Sequence, residues 1–276
     1  MTQIPRLAMN DGYSIPQLGF GIWKVPVDNA ATAVEQALRL GYPLIDGAYL
    51  YLNEAGLGEG LRASGVPRED VFVTTKVWNN EQGRDKARAS VERSLKTIGI
   101  DQLDLVLIHW PAPDQDLYVE TWKAFIEMRD EGLMKSIGVS NFNQDHLDRV
   151  IEATGVVPAL NQIELNPELQ QPRMRAVNAA RGIVTQAWTP LGNGRSFEKE
   201  ALTAPAKRTG KSPAQVVLRW HLQLGHAVIS RSENPGRQAQ NLDIFDFELT
   251  PEEMDAITTL DRGARTGPDP SVFRGL

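Results

Sequence analysis

The 276-residue sequence contains no cysteine and only four histidines. Without cysteine there is no disulfide framework, thiolate zinc site, iron–sulfur cluster or cysteine nucleophile. The histidines His109, His146, His221 and His226 show neither H-x-H nor H-E-x-x-H spacing, so a metal hydrolase is disfavoured and no metal is expected. Surplus positive charge is also lacking. With 29 Lys plus Arg against 35 Asp plus Glu, and a net charge of −6, the chain is unsuited to gripping nucleic-acid phosphates. No apolar run approaches the ~18 residues of a membrane-spanning helix. The opening residues resemble neither a signal nor a transit peptide. No linker, low-complexity segment or charge run marks a domain boundary. What remains is a cytoplasmic globular protein, with no membrane or nucleic-acid partner.

What is present is an alternation. Short Val-, Ile- and Leu-rich runs occur at Leu18–Trp23, Tyr42–Asp46, Val71–Lys76, Leu103–His109, Ser136–Ser140, Ala159–Glu164, Ile183–Trp188 and Ala227–Ser230. They are nearly continuous in apolarity, which suits strands buried on both faces of a parallel sheet. Amphipathic stretches separate them, with Val34, Ala37, Leu38 and Gly41 on one helical face and Ala87, Val91, Leu95 and Ile98 on another. Ser212-Pro213-Ala214-Gln215 and Thr250-Pro251-Glu252-Glu253 have the form of capping boxes with proline at the first helical position. About eight strand–helix repeats in roughly 250 residues predict a (β/α)8 barrel over the whole chain, 1–276, as a single domain. A doubly wound sheet competes, but no G-x-G-x-x-G follows the first strand. Asn10-Asp11-Gly12 could turn an N-terminal hairpin below the barrel, and the segment from Asp261 reads as a mobile tail.

In such a barrel the chemistry sits at the C-terminal ends of the strands and in the loops above them. Asp46, Lys76 and His109 each end an apolar run, and Tyr51 lies five residues beyond Asp46. Singly they read as a cap, a solvated charge, a core imidazole and a packing ring. Together they form a metal-free proton-donating site for a carbonyl oxygen. An Asp beside a Lys holds it charged, the ammonium lowers a nearby phenol from its usual ~10, and a neutral His hydrogen-bonds the substrate oxygen.

The segment Gly41-Tyr42-Pro43-Leu44-Ile45-Asp46-Gly47-Ala48-Tyr49-Leu50-Tyr51-Leu52-Asn53-Glu54 resembles the signature of the aldo-keto reductases. So do Thr74–Trp78, Leu107–Pro111, Ile137–Phe142, Asn161–Glu164, Trp188–Gly192 and Asn241-Leu242, seven matches in chain order from about residue 15 to 260. Within that family the chain most resembles the bacterial 2,5-diketo-D-gluconate reductases. The resemblance implies a barrel that reduces aldehydes and ketones with NADPH, NADH being the alternative cofactor. Tyr51 would be the general acid, Lys76 and Asp46 its tuning pair, and His109 the group that orients the carbonyl. It also implies that Ser140, Asn141 and Gln162 hold the nicotinamide carboxamide and that Trp188 stacks on its ring. Leu191 and Gly192 would lie over the pyrophosphate, and Arg231, Ser232, Arg237 and Asn241 at the adenosine phosphate. Relatives of this size are commonly monomers.

Several positions depart from the family pattern. Gly47 stands where the family usually has Thr, Tyr49 where a small residue is usual, and Leu52 where Gly commonly follows the tyrosine. The family spacing selects Tyr51 over Tyr49 as the acid. We expect Tyr49 and Leu52, with Trp23, Trp78 and Trp110, to line the substrate pocket and bias it away from small polyhydroxylated sugars. Arg231 and Arg237 favour a 2′-phosphate, whereas Glu233 favours a bare 2′-hydroxyl. Arg262, Arg265 and Arg274 in the tail could recognise a substrate carboxylate. Two competing readings are a cofactor-binding regulatory module with little turnover and a Schiff-base lyase using Lys76.

Overall fold

Strands whose side chains are buried on both faces need a cover on each side, and closing the sheet on itself supplies one of them. The computed structural model describes residues 4–275. Eight strands form a closed barrel: β3 (Leu18–Gly21), β4 (Leu44–Asp46), β5 (Phe72–Val77), β6 (Leu103–Ile108), β7 (Met134–Ser140), β8 (Leu160–Glu164), β9 (Val184–Trp188) and β10 (Ala227–Ser230). All neighbours are parallel, and β10 pairs with β3 through Val228–Leu18 and Ser230–Phe20, the closure that a doubly wound sheet lacks. Strand β4 begins two residues later than its apolar run because Pro43 has no N–H to give to a ladder.

The crossovers are α1 (Val27–Leu40), α2 (Glu54–Ser64), α3 (Arg84–Ile98), α4 (Tyr118–Asp130), α5 (Gln144–Thr154), α6 (Pro172–Ala180), α7 (Glu200–Thr209) with α8 (Pro213–Gln223), and α9 (Pro235–Leu242) with α10 (Pro251–Thr258). Both capping boxes form, Ser212 with Gln215 on α8 and Thr250 with Glu253 on α10. Among the described residues no helix is long and apolar enough to cross a membrane. Alternation along β6 sends Val106 and Ile108 into the core shared with the helices, and Leu105 and Leu107 into a second cluster with Leu44, Phe72, Leu160 and Ile229. Met9 and Ile15 belong to that second cluster. They come from the hairpin of β1 (Arg6–Ala8) and β2 (Ser14–Pro16), turned at Asn10-Asp11-Gly12, with Gly12 at φ +90°. The hairpin therefore packs into the barrel as a plug.

One local feature prepares the site. A Cβ on Gly56 would meet Ala30 at 2.6 Å, and one on Gly58 would collide with the Ile98 carbonyl. These glycines let α2 press between α1 and α3, which fixes the short 3-10 turn Tyr49–Tyr51 that leads into it.

Candidate active site at the C-terminal rim of the barrel

Three of the predicted groups meet through one ammonium. Lys76 Nζ, fully buried, donates to Asp46 Oδ1 at 2.5 Å, to the Gly47 carbonyl at 2.9 Å and to Tyr51 Oη at 3.4 Å. Three protons face three acceptors, so Lys76 is saturated. Tyr51 accepts from it, which leaves the phenol's own proton free to be given elsewhere. Asp46 Oδ2 accepts from Gln162 Nε2 at 2.8 Å, and the other Gln162 amide hydrogen goes to Gln186 Oε1 at 2.7 Å. His109 meets Tyr51 and Trp78 edge-on, with centroids 5.8 and 4.8 Å apart.

The electrostatics correct one expectation. The Tyr51 phenol is not lowered: burial, and secondarily the Asp46 charge, push it well above 10. The reason is that Asp46 already neutralises Lys76, so the half-buried phenol faces a nearly neutral pair while its own charge would be poorly hydrated. Burial pulls Lys76 down, and Asp46 and then Glu54 pull it back up. Burial, reinforced by Lys76, pushes His109 well below 6.5, so its imidazole is neutral as the sequence suggested. His109 Nδ1 is buried without a partner among the described residues. An orphaned acceptor is cheaper than an orphaned N–H, which favours the tautomer carrying its hydrogen on Nε2.

A cavity of about 810 Å³ opens over these groups. Trp23, Tyr51, Trp78, His109, Trp110 and Phe273 line one part, and Ser140, Asn141, Gln162, Trp188, Leu191 and Arg231 line the rest. Asn141 donates to the His109 carbonyl and to Ser140 Oγ, each at 3.0 Å, and its Oδ1 accepts from Trp188 Nε1 at 2.8 Å. With both Gln162 amide hydrogens spent, its Oε1 remains as an acceptor. Ser140 Oγ in turn donates to the Gln162 carbonyl at 2.8 Å, so this wall offers oxygen acceptors beside an indole, which fits the N–H groups of a nicotinamide carboxamide. Gly192, at φ +55°, packs on Asn166 behind Leu191 and is not part of the lining. Ser232, Glu233, Arg237 and Asn241 also lie outside it. They belong to the turn after β10 and to α9, where Arg231, Glu233 and Arg237 are exposed.

Two pocket assignments do not hold. The ring of Tyr49 carries the Arg93 guanidinium 4.1 Å above it, and Leu52 is 73% exposed at φ +59°. Neither lines the cavity, because the tight 3-10 turn sends residues 49 and 51 in different directions. The tail likewise is not left free. The buried Glu164 carboxylate accepts from Thr266 N at 2.6 Å, Thr266 Oγ1 at 2.5 Å and Gly267 N at 3.0 Å. Farther on, Asn143 reaches Ser271 and Asn79 reaches the Arg274 carbonyl, while Phe273 lies 4.4 Å from Trp110. Leu276, the last residue of the tail, is outside the described residues. Arg262 pairs with Glu168, Arg265 donates to Gln171 and Arg274 pairs with Asp114, so none of these arginines enters the cavity. His146 on α5 and His221 on α8 are buried. Glu164 and Gln186 were missed. Their partners lie on other strands or about a hundred residues away, which no local spacing encodes.

Known proteins are similar to this chain along most of its length. The Aldo/keto reductase family profile matches residues 17–262. An aldo-keto reductase of Mycolicibacterium smegmatis is 50% identical over 269 residues, 98% of either chain. The methylglyoxal reductase DkgA of Escherichia coli strain K12 is 46% identical over 271 residues, again 98% of each. Among solved structures, a variant of Gox0644 in complex with NADPH superposes with a TM-score of 0.94 at 46% identity, covering 98% of both chains.

Proposed function

The chain belongs to the aldo/keto reductase family, and from that premise we propose how its residues carry out NAD(P)H-dependent reduction of a carbonyl to an alcohol. Tyr51 is the general acid. The observation that carries this role is the direction of its hydrogen bond: Oη accepts from Lys76, so the phenolic proton is available to a substrate oxygen. A reduced nicotinamide supplies the hydride when bound. Lys76 stabilises the phenolate that Tyr51 becomes, and Asp46 keeps Lys76 protonated and fixed. His109, neutral and donating through Nε2, orients the carbonyl oxygen next to Tyr51. Ser140, Asn141 and Gln162 hold the carboxamide and Trp188 covers the ring. Leu191 and Gly192 would hold the pyrophosphate, and Arg231 at the cavity's edge, with Ser232, Arg237 and Asn241 of the adjoining turn and α9, would hold the adenosine phosphate. The lyase reading fails on the same geometry, since an ion-paired ammonium with all three protons engaged is not a nucleophile.

For the substrate, we propose a carbonyl compound with a flat apolar arm. Trp23, Trp78, Trp110 and Phe273 supply four aromatic surfaces around the tetrad, and no tail arginine faces the cavity. Trp23 also lies 4.8 Å from the Tyr51 ring. We take the whole chain to be one domain, acting as a monomer in the cytoplasm, a compartment that its lack of cysteine suits. Initial rates from NADPH absorbance at 340 nm, with an aryl ketone, methylglyoxal and a sugar diketo acid in parallel, test the substrate assignment. A higher kcat/KM for the aryl ketone is expected, and a strong preference for the sugar acid would sink it.

A further inference from the structure

Behind Lys76, on the outer side of the barrel wall, lies a second buried carboxylate. Glu54, the first residue of α2, is 4% exposed. It accepts from Thr75 Oγ1 at 2.5 Å and from Ser94 Oγ at 3.0 Å. Thr75 is the strand neighbour of Lys76 and points to the opposite face of β5. Among the described residues no cation hydrogen-bonds Glu54. The charged groups around it are Lys76 on β5, with Asp46 of β4 beyond it, and Arg93 on α3. Arg93 is already engaged, donating to Glu81 at 3.0 Å and lying over the Tyr49 ring.

Two consequences follow. Glu54 stands three residues after Tyr51, and Asn53 between them donates to the Ile22 and Val25 carbonyls at 2.9 and 3.0 Å. The turn carrying the phenol is thus clamped at its end to the strand carrying the ammonium. Resting on the reductase reading above, we infer that Glu54 is a positioning residue for the reaction: it ties the Tyr51 turn to β5 through Thr75, to α3 through Ser94, and its negative charge, with that of Asp46, keeps Lys76 protonated. Burial raises the Glu54 carboxyl above its ordinary value, a rise that the two hydroxyls and then Arg93 and Lys76 limit. The influence is mutual, since Glu54 is among the groups that raise Lys76.

The test is E54Q, which keeps the shape and can still hydrogen-bond both hydroxyls but removes the charge. Removing a negative charge makes both Lys76 and Tyr51 lose their protons at lower pH. The basic limb of kcat should therefore move down by about half a pH unit or more, with KM little changed. E54D should restore it. Independently of turnover, the ε-carbon resonance of Lys76 in lysine-labelled, cofactor-free protein, assigned by its loss in K76R, should titrate at lower pH in E54Q. A folded E54Q with the parent's limb and the parent's Lys76 titration would overturn the inference and reduce Glu54 to a packing staple. Should E54Q not fold, T75V removes the shorter hydrogen bond and leaves the charge site intact. An unchanged kcat in T75V would count equally against the role. A parent enzyme that reduces no carbonyl would instead bring down the reductase reading, which separates the two failures.

Discussion

At the floor of the cavity Lys76 and Asp46 are 0% and 6% exposed and 2.5 Å apart, and each has further hydrogen-bond partners. At the β10 end, Arg231 and Glu233 are 39% and 38% exposed and 3.9 Å apart, and Arg237 lies in solvent. The first region is rigid because every buried charge must be matched, and breaking any contact leaves a charge without water. The second obeys surface rules, where solvent and salt divide each interaction. On the proposed reading, the chemical step would be set by geometry that one substitution destroys, whereas cofactor preference would be set by small competing charges that one substitution only tilts.

The sharpest way to break that contrast is Tyr51→Phe. Losing the general acid should lower kcat by about 10²–10⁴-fold with the fold intact, since general acid catalysis is worth that much. NADPH affinity, read by quenching of tryptophan fluorescence, should stay within a factor of two or so. Activity surviving in Tyr51→Phe would transfer the role to another group and void the proposed mechanism.

Asp46→Asn comes next. It leaves the buried Lys76 ammonium without its hydrogen-bonded counter-charge, and removing one partner of a buried pair costs about 3–5 kcal/mol. Urea denaturation should show a large drop in midpoint with an unchanged slope. The pH profile of the parent enzyme tests the same network with a definite sign. His109 is depressed, so its neutral form persists as pH falls through 6.5, and no loss of kcat is expected there. Lys76 is lowered and Tyr51 raised, so activity should fall as pH rises through the lowered Lys76 value, before the phenol ionises. An inflection near 6.5 would mean that His109 is hydrated in the working enzyme.

The same contrast explains what the sequence disclosed. The eight strands were legible because burial on both faces writes itself as continuous apolar runs, and Asp46, Lys76 and His109 because each interrupts such a run at its C-terminal end. Tyr49 was misplaced because a 3-10 turn follows neither the strand nor the helix period, and Arg93 on α3 drew the ring away. The Tyr51 shift was misjudged because its sign depends on how completely Asp46 cancels Lys76, a matter of ångströms. The strapped tail depended on Glu164 meeting Thr266 across 102 positions, a pairing that composition and spacing do not encode.

The smallest effects belong to the exposed turn, and they sharpen the comparison. Arg231 is anchored by donating Nε to the Trp23 carbonyl at 2.9 Å, so its remaining N–H groups are held at the cavity's edge. Among the described residues Glu233 has only Asn29 at 3.4 Å and the long contact to Arg231. Substituting E233Q should raise NADPH affinity over NADH, and R231A should lower it. Each change should be about five-fold or less, because an exposed charge is worth about 1 kcal/mol at most. Both should shrink further in high salt. Parallel titrations with the two cofactors at two ionic strengths read this directly. A change of a hundred-fold that salt leaves untouched would mean the turn closes over the bound phosphate and buries it. The β10 end would then obey the same rules as the tetrad, and the contrast between the two regions would hold only for the free protein.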